Sequence, residues 1–295
     1  MKGEKMTRRN LIRSASLLAA GTVAGQLAGT ASAATIDFDK IECVATKGRI
    51  VQSVSQWCFG KWSLDELCQV CQKLGLKAID LLGPDSFATV KKYGLAVSMV
   101  NSHPLTDGLA DKKYHDMCLA KLRESIDATS EAGFPNVISF SGNRRGIPDD
   151  VGIENAVEAL KKIVGYAEQK KVTIVLEYLN SVGHKDYMFD NVAWGAEVCK
   201  RVGSDRVKIL YDIYHAQIME GNIIDTIRKN KDYIGHYHTG GNPGRNEIDD
   251  TQELYYPAIM KAIVETGYKG YVAHEFVPKR DPLESLTYAA RICDV

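Results

Sequence analysis

Short apolar runs rich in β-branched residues alternate with longer amphipathic stretches between residues 50 and 292, and this alternation restricts the fold strongly. It is typical of βα units around a parallel sheet. The predicted strands are Ile50 to Ser55, Ala78 to Leu82, Ala96 to Asn101, Val137 to Ser141, Val172 to Glu177, Val207 to Asp212, Tyr233 to His238 and Tyr271 to Glu275. The predicted helices are 63–74, 84–93, 111–132, 153–169, 190–202, 216–229, 251–266 and 282–292.

Eight strand and helix pairs in this length of chain predict a single-domain (β/α)8 barrel, the TIM barrel of the α/β class. No shift of composition marks a second domain. A doubly wound open sheet is the alternative, but no G-x-G-x-x-G motif follows the first predicted strand. Ser63 with Glu66 predicts a capped helix start. Glycines predict helix ends at positions 75, 94, 133, 203 and 267.

Residues 1–33 differ in composition from the rest of the chain. Five basic side chains precede an uncharged stretch rich in Ala, Gly, Leu, Ser and Thr, which ends in Ala31-Ser32-Ala33. This order predicts a cleaved export signal. The run from Thr7 to Arg13 resembles a twin-arginine signal, which carries folded proteins across the membrane. We therefore expect residues 34–295 to be an exported, periplasmic barrel domain. An uncleaved membrane anchor is less favoured because the stretch is weakly apolar.

Charge and cysteine content exclude several classes of protein. The chain has 37 basic and 37 acidic side chains, and removing residues 1–33 leaves a net charge of −4. Such a balance argues against a nucleic-acid partner. The seven cysteines are odd in number and irregularly spaced, which does not fit a disulfide scaffold or zinc fingers. Cys68 and Cys71 share one face of a predicted helix, where packing in the core is the better interpretation.

Reactive side chains end four consecutive predicted strands. The fifth and sixth strands end at Glu177 and Asp212, the seventh at His238 and the eighth at Glu275. A TIM barrel carries its chemistry at the carboxyl ends of its strands. One terminal carboxylate is often only a solubilising residue, but four reactive ends in succession predict a site.

Three carboxylates at one barrel mouth would repel one another strongly unless a cation lay between them. Oxygen ligands with one imidazole suit a single divalent ion, Mn2+, Mg2+, Co2+ or Zn2+. Such an ion could polarise a substrate carbonyl and stabilise an enediolate. Glu177 and Glu275 come from strands separated by two others, so they can flank the substrate as the catalytic proton-transfer pair.

Three segments, Leu176 to Asn180, Tyr211 to Asn222 and Asn242 to Arg245, resemble the hydroxypyruvate isomerase family of the xylose isomerase-like barrels. The resemblance implies a divalent metal, with Mn2+ and Mg2+ favoured, bound by Glu177, Asp212, His238 and Glu275. It also implies that His215 and Arg245 bind substrate oxygens. These isomerases tend to have Gln at the position of His238, whereas ketose 3-epimerases of the same superfamily have His.

Other side chains are weaker candidates for substrate binding. His103 and His184 follow the third and fifth predicted strands, and Trp57 follows the first, where it could face a sugar ring or pack in the core. His236 alternates onto the same face as His238, one layer deeper, and is interpreted as core or as a partner of a metal ligand.

The leading hypothesis is a metal-dependent isomerase or epimerase of a small hydroxy-ketone or keto-sugar. A lyase that uses the same proton abstraction to release the aglycone of a keto-glycoside is the alternative. Abasic-site endonucleases share the barrel but need more histidines and a basic groove, and a non-catalytic sugar-binding protein is a further alternative. Related barrels often pair, so a homo-oligomer remains open.

Overall fold

The computed structural model describes residues 36–295, which include one compact unit from Phe38 to Val295. Eight parallel strands form a closed barrel in chain order, and β1 pairs with β8 to close it. The strands are β1 Val51–Ser55, β2 Ala78–Leu82, β3 Ala96–Val100, β4 Asn136–Ser139, β5 Thr173–Glu177, β6 Val207–Asp212, β7 Ile234–Thr239 and β8 Tyr271–His274. The predicted (β/α)8 fold is confirmed, and every predicted strand end lies within two residues of the observed one.

The helices between the strands are α1 Leu64–Leu74, α2 Phe87–Lys92, α3 His115–Ala132, α4 Asp149–Lys170, α5 Val192–Val202, α6 Ile213–Met219, α7 Ile223–Asn230, α8 Tyr256–Glu265 and α9 Pro282–Cys293. The single helix predicted at 216–229 is wrong, because the structure has α6 and α7 there. Gly221 and Asn222 adopt positive φ angles of 61° and 47°, and this left-handed backbone separates α6 from α7.

Local signals set several helix ends as predicted. Ser63 and Glu66 form the reciprocal capping box at the start of α1. Gly75 ends α1 with φ 92°, and a Cβ atom there would lie 2.7 Å from the carbonyl oxygen of Ala45. The other four predicted terminating glycines also have positive φ angles. The glycine-terminated ends leave short connections to the amino ends of the next strands, at the end of the barrel opposite to the site.

The barrel interior is filled by side chains. Met99, Ile138, Val175 and Leu210 form a buried cluster, against which Leu81 and Phe140 pack. Leu81 has φ 59°, and the pairing of β2 with β3 shifts register on both sides of Asp80. This irregularity is a bulge, which re-aims side chains at the end of a strand. Ile138, Leu81 and Phe140 also form part of the cleft above the cluster.

All seven cysteines are free thiols, and Cys68 and Cys71 are fully buried on α1. The predicted core packing of these two residues is confirmed. Over the described residues, none of the helices has the length and apolar character needed to cross a bilayer. The predicted export signal, residues 1–33, lies outside the described residues, so the domain boundary at residue 34 stays a prediction.

Candidate active site

Four buried side chains converge at the carboxyl end of the barrel. Glu177 ends β5, Asp212 ends β6, His238 lies in β7 and Glu275 follows β8 directly. One donor atom from each lies within 4.8 Å of those of the other three. The structure therefore brings together the four side chains that the sequence analysis proposed as metal ligands.

Asp212 has a double role because it ends a strand and begins a helix. Its Oδ1 atom accepts hydrogen bonds from the backbone N–H groups of Tyr214, at 2.9 Å, and His215, at 3.4 Å, and so caps α6. This fixes the carboxylate plane and leaves Oδ2 to face the cluster. There it accepts a hydrogen bond from Arg245 Nη2 at 2.9 Å.

His238 is oriented by Asp80, a residue that the sequence analysis did not propose. His238 Nε2 donates to Asp80 Oδ2 at 2.8 Å, because a carboxylate oxygen can only accept. The other ring nitrogen, Nδ1, therefore faces the cluster, 3.8 Å from Glu177 Oε1 and 3.9 Å from Asp212 Oδ2. A carboxylate behind the imidazole is the usual support of a metal-binding histidine.

Asp80 is fully buried in β2, next to the bulge at Leu81. Ser98 Oγ donates to its Oδ1 at 2.5 Å, and His236 Nε2 lies 3.2 Å from the same oxygen. Burial raises the pKa of Asp80, but His236 and His238 outweigh burial and hold it below its usual range. One signal was available in the sequence: an aspartate in the middle of an apolar strand needs a buried partner.

Glu275 is held from three sides. Trp57 Nε1 donates to its Oε1 at 2.7 Å, Arg245 Nη2 donates to its Oε2, and His238 Nδ1 lies 2.5 Å from Oε2. Arg245 reaches it from the loop after β7, where the backbone N–H of Arg245 donates to Gly241 O at 2.8 Å. The guanidinium carbon of Arg245 lies 5.4 Å from the ring centroid of Trp57 and 5.5 Å from that of Tyr214.

Burial and neighbouring charges shift the pKa values of the three acids in the cluster. Burial and then the Glu275 charge raise the pKa of Glu177 to about 8. Burial also raises the pKa of Asp212. Burial acts in the same direction on Glu275, but His238 and Arg245 outweigh it and hold the pKa of Glu275 below its usual range. The acids therefore depend on positive charge brought close to them.

The donor set fits a divalent cation. His238 Nδ1 is buried and has no hydrogen bond of acceptable geometry among the described residues, although Glu275 Oε2 is in contact with it. Such an approach of ring nitrogen and carboxylate oxygen needs a proton or a metal ion between the two atoms. Three carboxylates with one imidazole suit Mn2+, Mg2+, Co2+ or Zn2+ and do not select one of them.

His215 is placed beside the cluster by Asn180. The backbone N–H of Asn180 donates to His215 Nδ1 at 3.1 Å, and Asn180 Nδ2 lies 2.5 Å from the same nitrogen. Because Nδ1 accepts, the proton of the neutral ring is on Nε2. That nitrogen is buried without a hydrogen-bond partner in the described part of the chain, 3.5 Å from Asp212 Oδ2. It is free to donate to a ligand.

The site opens into a cleft of about 410 Å3. Its lining includes Trp57, His184 and Arg245, three residues predicted to bind substrate, together with Glu177 and Glu275. His103 is not part of this lining. Its ring bonds Ser139 Oγ at 2.8 Å and contacts Pro104 O at 3.1 Å, so the structure gives it a packing role in the loop after β3.

Comparison with known proteins agrees with the fold and with the resemblance. A protein of Drosophila melanogaster that is provisionally named hydroxypyruvate isomerase is 25% identical to the chain over 249 residues, which cover 78% of this chain and 92% of the relative. The resemblance to that family is thus confirmed.

Two crystal structures show the same fold. An AP endonuclease of family 2 from Brucella melitensis has a TM-score of 0.75 at 21% identity, with 82% of this chain and 98% of that one covered. A 3-keto-D-glucoside 4-epimerase from E. coli has a TM-score of 0.69 at 18% identity, with 82% and 97% covered. The family described as "Xylose isomerase-like TIM barrel" matches residues 33–291. The chain therefore belongs to the xylose isomerase-like TIM barrel family.

Proposed function

We propose that the protein is a divalent-metal-dependent isomerase or epimerase of a hydroxy-ketone or keto-sugar. The observation that carries the proposal is the convergence of Glu177, Asp212, His238 and Glu275 within 4.8 Å at the barrel mouth. The isomerase name of the Drosophila relative supports an enzyme of the isomerase class. The E. coli protein with the same fold is, by its name, an epimerase of a keto-sugar.

The four ligands would hold the ion through carboxylate oxygens and His238 Nδ1. An ion held there would act as a Lewis acid on the substrate carbonyl and make the adjacent C–H more acidic. One of the two glutamates, Glu177 or Glu275, removes that proton, and the electron pair of the C–H bond moves into the carbonyl to form an enediolate. The other glutamate returns a proton to carbon, so no co-reactant is consumed.

The surrounding groups position the substrate. His215 donates from Nε2, which has no other partner among the described residues, to a hydroxyl or carbonyl oxygen. Trp57 and Arg245 hold the Glu275 carboxylate in place through hydrogen bonds to its two oxygens. The Glu177 and Glu275 side chains reach the cleft from β5 and the end of β8, which supports their role as the proton-transfer pair.

The test is exchange of the α-proton for deuterium. We expect the purified protein, loaded with Mg2+ or Mn2+, to incorporate deuterium from D2O into a ketose, as detected by mass spectrometry. The Glu177→Gln variant keeps the shape of the side chain but cannot carry the proton, so exchange should fall by at least a hundredfold. Exchange that persists in this variant, or an absence of exchange in the wild type across ketoses and keto-glycosides, contradicts the proposal.

A lyase acting on a keto-glycoside is a second candidate. An apolar wall of the cleft favours it, because Leu81, Leu105, Phe140 and Leu179 would accept an aglycone. Release of a free aglycone from a keto-glycoside, measured in the same preparations, separates elimination from isomerisation.

We also propose that residues 1–33 direct export. The free thiols of all seven cysteines support folding before exposure to an oxidising compartment. Cell fractionation tests this proposal, since replacement of Arg8 and Arg9 by Lys should retain the protein in the cytoplasm. Protein that still reaches the periplasm would contradict a twin-arginine route.

A further inference from the structure

We infer that Glu247 is a positioning residue, which sets where Arg245 lies against Glu275, and this inference rests on the proposed function. Arg245 belongs to the loop after β7 and Glu275 to the loop after β8. Their side chains meet only if the two loops keep a fixed relation to each other. Glu247, two residues beyond Arg245, is a buried side chain that joins the loops, with 6% of its surface exposed.

The side chain of Glu247 bonds the loop after β8 and the helix that follows it. Its Oε1 atom accepts hydrogen bonds from the backbone N–H groups of Lys279, at 2.8 Å, and Arg280, at 2.9 Å. The same oxygen accepts a bond from the Ser285 hydroxyl of α9 at 3.0 Å. Burial raises the pKa of Glu247, but these donors outweigh burial and hold it below its usual range. The junction therefore rests on charge-assisted bonds to a carboxylate.

Backbone contacts continue this junction up to Arg245 itself. The N–H group of Val277 donates to Arg245 O at 2.9 Å, and Asn246 Nδ2 donates to Val277 O at 2.8 Å. The Arg245 side chain adds a further contact, because its Nε donates to Glu275 O at 3.3 Å. The two loops therefore lie side by side from the guanidinium of Arg245 to the carboxylate of Glu247.

Arg245 needs this support because its backbone is strained. Its φ angle is 55°, a left-handed conformation that residues with a Cβ atom rarely adopt. The turn around it is tight, since Arg245 N–H donates to Gly241 O at 2.8 Å and Gly241 N–H donates to Asn246 O at 2.9 Å. A Cβ atom at Gly241 would collide with the carbonyl oxygen of Glu247. Such a conformation persists only where the surrounding contacts impose it.

The two loops are also joined farther from the site. Asp249, in the loop after β7, pairs with Arg280 through its Oδ2 atom, and only 4% of the Asp249 side chain is exposed. Its Oδ1 atom accepts hydrogen bonds from the backbone N–H of Thr251, at 2.9 Å, and from its hydroxyl, at 2.6 Å. We therefore expect the fold to survive replacement of Glu247, while the position of Arg245 changes.

The first experiment observes Arg245 directly, without turnover. The Arg245 Nε–H signal in 1H–15N spectra of the full-length protein is identified by its loss in Arg245→Lys. The bond of this group to Glu275 O slows exchange of its proton with water. We expect Glu247→Ala to raise the rate of this hydrogen exchange at least tenfold. A rate within threefold of the wild type would overturn the inference, whatever the activity of the protein.

A double-mutant comparison shows whether Glu247 acts through Arg245. With Mg2+-loaded protein, we expect Glu247→Ala to lower kcat/KM for deuterium exchange into a ketose at least tenfold. In an Arg245→Lys background the same substitution should lower it less than threefold further, because the guanidinium that Glu247 positions is already gone. A tenfold loss in both backgrounds, or no loss in either, overturns the inference. An absence of exchange in the wild type contradicts the proposed function, and the hydrogen-exchange rate of Arg245 Nε–H then decides this inference alone.

Matched variants separate positioning from a general effect on stability. Glu247→Gln keeps an oxygen that can accept all three bonds, so its kcat/KM should lie within threefold of the wild type. Glu284→Ala removes a carboxylate from the same cavity of about 210 Å3 but none of those bonds, and should change kcat/KM less than twofold. If thermal unfolding shows that Glu247→Ala does not fold, Glu247→Asp, which is one methylene shorter, replaces it in both experiments. A Gln variant as slow as the Ala variant, or an equal loss in Glu284→Ala, contradicts positioning by these hydrogen bonds.

Discussion

Asp80 controls which nitrogen of His238 can bind a metal. Its Oδ2 accepts the Nε2 proton of His238 at 2.8 Å, and both side chains are fully buried. Asp80→Asn has nearly the same shape, but its amide can present an N–H donor to Nε2. The imidazole proton would then move to Nδ1, which faces Glu177, Asp212 and Glu275. A protonated Nδ1 has no lone pair for a metal.

The expected loss of metal affinity can be estimated from the general effect of a carboxylate that bonds a metal-binding histidine. Loss of the carboxylate behind a metal-binding histidine lowers metal affinity by about 10- to 100-fold, or about 1.4–2.7 kcal/mol. We expect a loss near the upper end, because the contact is buried and Asp80 also carries the negative charge that faces His236. The global fold should survive, since Asn fits the same space and the hydroxyl of Ser98 can still bond it.

The assay is calorimetric titration of the metal-free protein with Mn2+, with the midpoint of thermal unfolding measured without metal. Ser98→Ala is the matched control, because it removes a donor to Asp80 Oδ1 but leaves the carboxylate on His238. We expect this control to change the Kd for Mn2+ by less than threefold. An Asp80→Asn variant that folds and binds Mn2+ within twofold of the wild type would refute this account of the tautomer.

Three further predictions concern other parts of the molecule. Burial lowers the pKa of His103 from 6.5 to about 4, so protonation of this ring favours the unfolded chain. The stability contributed by the neutral ring is complete above pH 6.5, and the free energy of unfolding falls as the pH drops toward 4. By pH 5 the loss is about 2 kcal/mol, and urea unfolding of His103→Gln should show a weaker dependence on pH than the wild type. Asn180→Ala should lower kcat/KM about tenfold and alter the 15N chemical shifts of His215 Nδ1 and Nε2; unchanged shifts would show that Asn180 does not set the tautomer. Cys43 is exposed and the other six thiols are buried, so a thiol reagent should modify one equivalent in the native protein and seven in denaturant; several fast thiols would contradict the packing.

The sequence pattern was most informative where interactions are local. The period of the apolar residues predicted all eight strands, and the capping box at Ser63 predicted the start of α1. The prediction of one helix at 216–229 was wrong. The apolar period continues through Gly221 and Asn222, but both residues have a left-handed backbone conformation. A backbone conformation of two residues can interrupt a helix without changing its hydrophobic pattern.

The sequence by itself determined which end of the barrel carries the reactive groups. A parallel strand that ends in a polar residue places it at the mouth, so Glu177, Asp212, His238 and Glu275 could be grouped without coordinates. Only the tertiary structure decided how these groups are held. Asp80 accepts a hydrogen bond from His238, which is 158 residues away in the chain. Arg245 donates hydrogen bonds to both Asp212 and Glu275. Contacts between distant segments depend on barrel closure and on a bulge in β2, and no local sequence period encodes either of them.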